Sequence, residues 1–148
     1  MKYKYLGLVL ITLLFLTGCK GQKEELLTYL KENDYSTKNN CLQKSIQKDN
    51  AEIVQRFCLD ECKYYAMNKT LDDYFTMDLS TQEINYIFDY ITYQYDTKNN
   101  KTICLFQGEE IDKDSSYCKN AKLAIDDHLS SLKEELNKAE VNIKYSCK

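Results

Sequence analysis

The chain has 148 residues, 23 acidic against 20 basic side chains and one histidine, for a formal charge of −3. A mildly acidic chain without a Lys/Arg cluster interleaved with aromatics is not built to bind nucleic acid. It has 7 cysteines, 13 tyrosines, no proline and no tryptophan, and its longest apolar run falls short of the roughly 20 residues that a membrane-crossing helix needs.

The first element is a leader. Lys2 and Lys4 precede an apolar run from Leu6 to Leu16, broken only by Gly7 and Thr12, and no acidic residue occurs before Glu24. A basic start, a short apolar middle and small residues at the end form a secretory signal peptide. The run closes on Leu16-Thr17-Gly18-Cys19, which resembles the lipobox of bacterial lipoproteins. The resemblance implies a signal peptide over 1–18, recognition of Leu16, Thr17 and Gly18 by a dedicated peptidase, and lipidation of Cys19 as the first mature residue. Two or more acyl chains anchor a protein stably where one does so only marginally. The expected location is therefore a cell membrane, with the body in the periplasm or outside the cell. Lys20 is not the Asp that in enterobacteria resembles an inner-membrane retention signal, so in a cell with two membranes the outer one is favoured. Residues 19–22 would be anchor and tether, and 23–148 a single domain.

Beyond the tether, 23–33 places Leu26, Leu27 and Leu30 on one helical face, and Asn33-Asp34 stops it. Asn40 suggests a cap for a helix carrying Leu42 and Ile46. Asp49 to Glu52 has the look of a capping box, opening a helix to about Asn68 with Ile53, Phe57 and Tyr64 or Tyr65 inward. Residues 45–59 resemble the helix-turn-helix interior of an ankyrin repeat, without a second copy at a 33-residue period. Ser80 to Glu83 reads as a second capping box before Ile84, Ile87, Phe88, Ile91 and Tyr95, which have helical spacing. Residues 102–106 are short, apolar and β-prone. A last helix starts near Ser115 or Ser116, with Cys118, Ile125, Leu129, Leu132 and Leu136 on one face. Val141, Ile143, Tyr145 and Cys147 alternate as in a strand. The expected fold is thus mainly α: a disulfide-stapled helical domain with at most a two-stranded element pairing 102–106 with 141–147.

Setting Cys19 aside leaves Cys41, Cys58, Cys62, Cys104, Cys118 and Cys147. An even number outside the cytosol reads as disulfides, with 15 possible pairings for six cysteines. A helical hairpin would pair Cys41 with Cys58 or Cys62, and Cys118 with Cys147 would close the small sheet. No C-x-x-C pair or His-rich spacing points to zinc, haem or redox chemistry, so neither metal nor cofactor is expected.

No nucleophile elbow, P-loop or zinc-protease signature occurs. His128 has Ala124 and Leu132 as its i±4 neighbours, and is expected at the surface or its boundary. Arg56, the only arginine, is expected in solvent on its helix. Asp72-Asp73, Glu109-Glu110 and Asp126-Asp127 are adjacent in sequence and so do not face one another on a helix. The expectation is a membrane-anchored lipoprotein with a non-catalytic envelope role, binding another envelope protein as an accessory, inhibitor or exclusion factor. The alternative is a module for a small ligand or cell-wall glycan using tyrosines, and the third is a hydrolase. An exposed Tyr/Phe patch would favour binding. A closed pocket gathering His128 with carboxylates would favour hydrolysis.

Overall fold

A computed structural model describes residues 21–96 and 99–142. The lipobox, Cys19, Cys147 and most of the 141–147 segment lie outside the described residues.

The architecture overturns the helical expectation. Between two helices, α1 (Gln22–Glu32) and α2 (Ser116–Lys138), the chain forms nine strands: β1 (Ser36–Lys38), β2 (Cys41–Lys48), β3 (Ala51–Cys58), β4 (Lys63–Asn68), β5 (Asp73–Asp78), β6 (Ile84–Phe88), β7 (Ile91–Asp96), β8 (Lys101–Phe106) and β9 (Glu109–Glu110). All nine lie in one sheet in sequence order, each antiparallel to the next. The ankyrin-like stretch is the β2–β3 hairpin.

The turns explain the fold. Asn39 and Asn40 have φ of 51° and 60°, and Asp49 and Asn50 have φ of 50° and 65°. Two successive left-handed residues are the requirement of a type I′ turn, whose twist matches that of paired strands. Asp49 is therefore a hairpin residue and caps no helix. The second supposed capping box, 80–83, is a loop closed by Asp78, whose Oδ1 accepts from the backbone N–H of Ser80 and Thr81 at 2.9 Å each. Ile84, Ile87, Phe88, Ile91 and Tyr95 have helical spacing, yet they sit on two paired strands, β6 and β7, joined by the two-residue turn Asp89-Tyr90.

Strand alternation separates two faces. The inner face carries cross-strand rows, among them Phe57-Tyr64-Met77-Ile84 and Gln55-Ala66-Phe75-Tyr86-Tyr93-Cys104. Both helices pack there. Leu26 and Leu30 of α1, and Ala121, Ile125, Leu132 and Leu136 of α2, share one apolar core with these rows. Rings run continuously through it, from Tyr35 to Phe57, Tyr64, Phe75 and His128 at centroid distances of 4.8–6.1 Å.

The two helices bear the amphipathic spacing read from the sequence. Ser115 caps α2, its Oγ accepting from Cys118 N–H at 3.3 Å. Both helices end in Schellman turns without glycine. Asp34 and Glu140 take φ of 66° and 57°, while Tyr35 N–H and Val141 N–H reach back to the carbonyls of Leu30 and Leu136.

Disulfides staple the helices and strands. Cys41 and Cys58 bond across β2 and β3 with Cα atoms 4.3 Å apart. They flank the paired Leu42 and Phe57, so strand register brings them together. Cys104 on β8 bonds Cys118 in the first turn of α2, with Cα atoms 6.1 Å apart, which excludes the expected Cys118–Cys147 bridge. Cys62 is also disulfide-bonded. It follows the β3–β4 turn with φ of 58°, so it does not share a helix face with Cys58. The expected strand partner of the 141–147 segment, β8, pairs with β7 along its whole length and with β9 at Leu105 and Phe106.

Candidate functional site

In an up-and-down sheet, alternate turns lie at the same end. Lys23 at the start of α1 forms an ion pair at 2.8 Å with Asp60 in the β3–β4 turn, so the first described residues lie at the end of the sheet that carries this turn. The β2–β3, β4–β5, β6–β7 and β8–β9 turns lie at the opposite end, one strand length or about 20–25 Å away.

At that remote end a cleft of about 430 Å³ opens between α2 and the tips of two hairpins. Lys48, Asp49 and Asn50 come from the β2–β3 hairpin, Thr70, Leu71 and Asp73 from around the β4–β5 turn, and Asp127, His128 and Ser131 from α2. His128 is a correction to the surface placement: only 7% of it is exposed. Its ring stacks on Phe75 at 5.2 Å and 29°, and its Nε2 lies 3.4 Å from the Asp73 carboxylate. Helical periodicity put Ala124 and Leu132 beside His128; the partner comes from a strand 55 positions away.

Asp73 is buried, and its oxygens are all engaged. Oδ1 accepts from Asn68 N–H at 2.9 Å, and Oδ2 from the Tyr86 hydroxyl at 3.0 Å. Burial opposes its charge, but the bonds from His128, Asn68 N–H and Tyr86 outweigh that and hold its carboxyl below the usual range. Tyr86 is pushed the other way by burial and by the Asp73 charge, so it stays a protonated donor. Its neighbour in sequence, Asp72, sits in the turn and accepts from Tyr74 OH at 3.0 Å, so the two acids form no dyad.

A second polar cluster lies two helical turns further along α2. Glu135 Oε2 is 3.2 Å from the Tyr35 hydroxyl and 3.3 Å from that of Tyr29. Tyr35 OH also lies 2.9 Å from Gln55 Oε1. Burial first and the Glu135 charge second push the Tyr35 hydroxyl far up, keeping it protonated. Through these bonds the cluster links α2 to Tyr29 of α1 and, by way of Tyr35, to Gln55 of β3.

Two surface features complete the picture. Tyr90, Phe106 and Tyr117 form a contiguous aromatic group, with Phe106 stacked on Tyr117 at 5.0 Å and edge-on to Tyr90 at 6.4 Å. Tyr90 and Tyr117 are more than half exposed. The outer face of the sheet carries two rows across β3 to β8: Arg56-Tyr65-Thr76-Asn85-Gln94-Ile103 and Val54-Met67-Tyr74-Ile87-Thr92-Leu105. Arg56 is the single charge in these rows, and it is half-buried and bonded to Gln43 Oε1 at 2.8 Å rather than solvated on a helix. Charged residues stand at the row ends, Lys63 opposite Asp78, Asp96 opposite Lys101, and Glu52 paired with Lys69. Among the described residues no helix covers this face.

Glu109 and Glu110 form the short edge strand β9, both exposed, and Asp126 pairs with Lys122 at 3.3 Å on the surface of α2. Among the described residues no three His, Cys, Asp or Glu side chains are grouped to hold a metal ion, and no helix is long and apolar enough to cross a membrane. Comparison of the chain with protein families, with curated proteins and with solved structures gives no match in any of the three.

Proposed function

We propose that the chain is a membrane-anchored lipoprotein with a non-catalytic role in the cell envelope, and that it binds another envelope protein through the outer face of its sheet. The observation that supports this reading is the distribution of charge. Of all residues 29% are charged, yet the two central rows of the outer face hold one charge, and the charges gather at the rim. Depletion of charge at the centre with Tyr, Met and Arg present and a polar rim is the composition of a protein interface. Tyr74 and Ile87 stand 48% and 40% exposed in the middle of it. From β2 to β8 the face measures about 30 Å by 20 Å, the order of the ~800 Å² that each partner gives to a standard complex.

A photo-crosslinking residue placed at Tyr74 in the intact envelope tests the interface, with the same residue at Leu123 on the exposed side of α2 as control. The expected result is one discrete adduct from position 74 and none from 123, re-formed with the purified partner and lost with Ile87→Glu. Equal adducts from both positions would overturn it. Intact mass tests the anchor. Loss of residues 1–18, acyl mass on Cys19 and six thiols appearing only after reduction are expected, with peptide mapping linking Cys62 to Cys147. An unacylated chain would refute the lipoprotein reading, and free thiols before reduction would refute the disulfide reading of the six cysteines.

The aromatic group at Tyr90, Phe106 and Tyr117 favours a second reading, a glycan-binding module, because exposed stacked rings offer a platform for sugar faces. Hydrolysis has less support: the pocket that gathers His128 with carboxylates is open, and among the described residues no serine, threonine or cysteine side chain bonds the imidazole.

A further inference from the structure

We infer that the remote cleft is a binding site for a small organic ammonium compound that also carries hydroxyl groups, and that His128 accepts a hydrogen bond from it. The inference begins with the tautomer. Asp73 is ionised, so it can only accept, and the His128 Nε2 beside it must carry the proton. In the neutral ring Nδ1 is then a bare acceptor. Among the described residues Nδ1 makes no hydrogen bond to the protein. Nor is it one of the sealed polar atoms left without a partner, which are Gln22 Oε1, Tyr64 OH and Asn85 Oδ1. His128 lines the cleft, which leaves Nδ1 as the ring nitrogen available to an occupant. A carboxylate that fixes a histidine tautomer and ring orientation from behind is the arrangement that prepares the other nitrogen to receive a ligand.

The rest of the lining sets the ligand class. Asp49 and Asp127 also face the cleft, with one cation, Lys48, and the hydroxyls of Thr70 and Ser131. Two carboxylates and a bare imidazole nitrogen make the cleft rich in acceptors, so its occupant must supply donors and a positive charge. A phosphate or carboxylate ligand would meet repulsion from Asp49 and Asp127. The volume falls within the 300–1,000 Å³ of ordinary small-molecule sites, and the cleft lies at the end of the sheet remote from the first described residues. Asp73 and Tyr86 position the ring from the sheet side, and Asp73 also contributes to the cleft lining.

His128 is the only histidine, so its ring resonances report on this site alone. The full chain in detergent micelles is titrated with glucosamine, N-acetylglucosamine and glucose while the ¹⁵N ring signals are followed at a pH where the imidazole is neutral. Saturable movement of Nδ1 by glucosamine is expected, with N-acetylglucosamine and glucose at least about tenfold weaker because they lack the ammonium. Asp127→Asn should weaken glucosamine by about tenfold. The tautomer has its own check, since the wild-type ring must show Nε2 protonated and Asp73→Asn must shift that balance. No saturable shift with glucosamine by about 10 mM, equal binding of the uncharged sugars, or indifference to Asp127→Asn would each overturn the proposal.

Discussion

The two faces of the sheet are made from alternate residues of the same strands, yet they handle polarity in opposite ways. The inner face buries Gln55 and Asp73 almost completely, and each is held by side chains: Tyr35 for Gln55, His128 and Tyr86 for Asp73. The outer face leaves Tyr74 and Ile87 in solvent and keeps charge at its margins. A polar group can enter a core when every atom finds a partner. A surface gains little from being uncharged unless something is to lie on it. The inner face is thus shaped by folding, and under the proposed function the outer face is shaped by a partner.

Mutations that separate the faces should differ in size and in kind. The largest effect belongs to Phe57→Ala. Phe57 is fully enclosed between the rings of Tyr35 and Tyr64, so the loss should be about 3–5 kcal/mol, measured as a lower urea midpoint. Next comes Cys104→Ser with Cys118→Ser. This pair joins the last long strand to the start of α2 across a separation of 14 residues, and its loss should cost about 3 kcal/mol. The double variant should also expose the inner face, read as dye binding that the wild type lacks.

Asp73 supplies a smaller effect and a pH signature. Its folded-state pKa is depressed, so its contribution to stability is fully present above the unfolded value of about 3.9. That contribution is lost as pH falls through the folded value. Asp73→Asn should cost about 1–3 kcal/mol at neutral pH. The variant should also lose less stability than wild type when pH is lowered below about 4. Parallel acid curves for the two proteins would show that Asp73 carries no linked charge in the fold.

Much of this division is written in the sequence, in a form easily mistaken for helix. The strands are punctuated at Asn39-Asn40, Asp49-Asn50, Asp89-Tyr90 and Asn99-Asn100, and Asn or Asp takes a positive φ at each. With four glycines and no proline in the chain, the usual turn markers are missing, and Asn and Asp do their work because they tolerate the left-handed region best. The ten-residue spacing of the first two pairs, repeated by the last two, was the available signal for a hairpin array. The helical spacing at Ile84 to Tyr95 misled because a hairpin also returns apolar residues at intervals of four and seven. The two true helices were legible because each carries three or more apolar positions on one face, α2 in spite of the Asp126-Asp127 pair inside it. His128 could not be placed from sequence, since Asp73 and Tyr86 reach it only through the sheet register. The outer face was hidden for the same reason: Arg56, Tyr65, Val54 and Met67 were assigned to a helix, where they do not form rows.

The smallest expected change in stability is the one that says most about the outer face. Tyr74→Glu and Ile87→Glu replace exposed side chains on neighbouring, directly paired positions of β5 and β6. Surface substitutions away from caps and cores usually fall within about 0.5 kcal/mol, and two acids directly opposite each other in a sheet add a modest repulsion. Single variants should therefore unfold at nearly the wild-type urea concentration, with His128 ring signals unmoved, because the inner face and its cleft lie on the other side of the sheet. The same variants should abolish the crosslink from this face, since a charge at the centre of an interface must be desolvated without a partner. If either variant unfolded the protein as Phe57→Ala does, the outer face would be a second core, covered by some part of this chain. If both folded normally and left partner binding intact, the uncharged rows would have no role in recognition, and the aromatic group at Tyr90, Phe106 and Tyr117 would become the surface to mutate next.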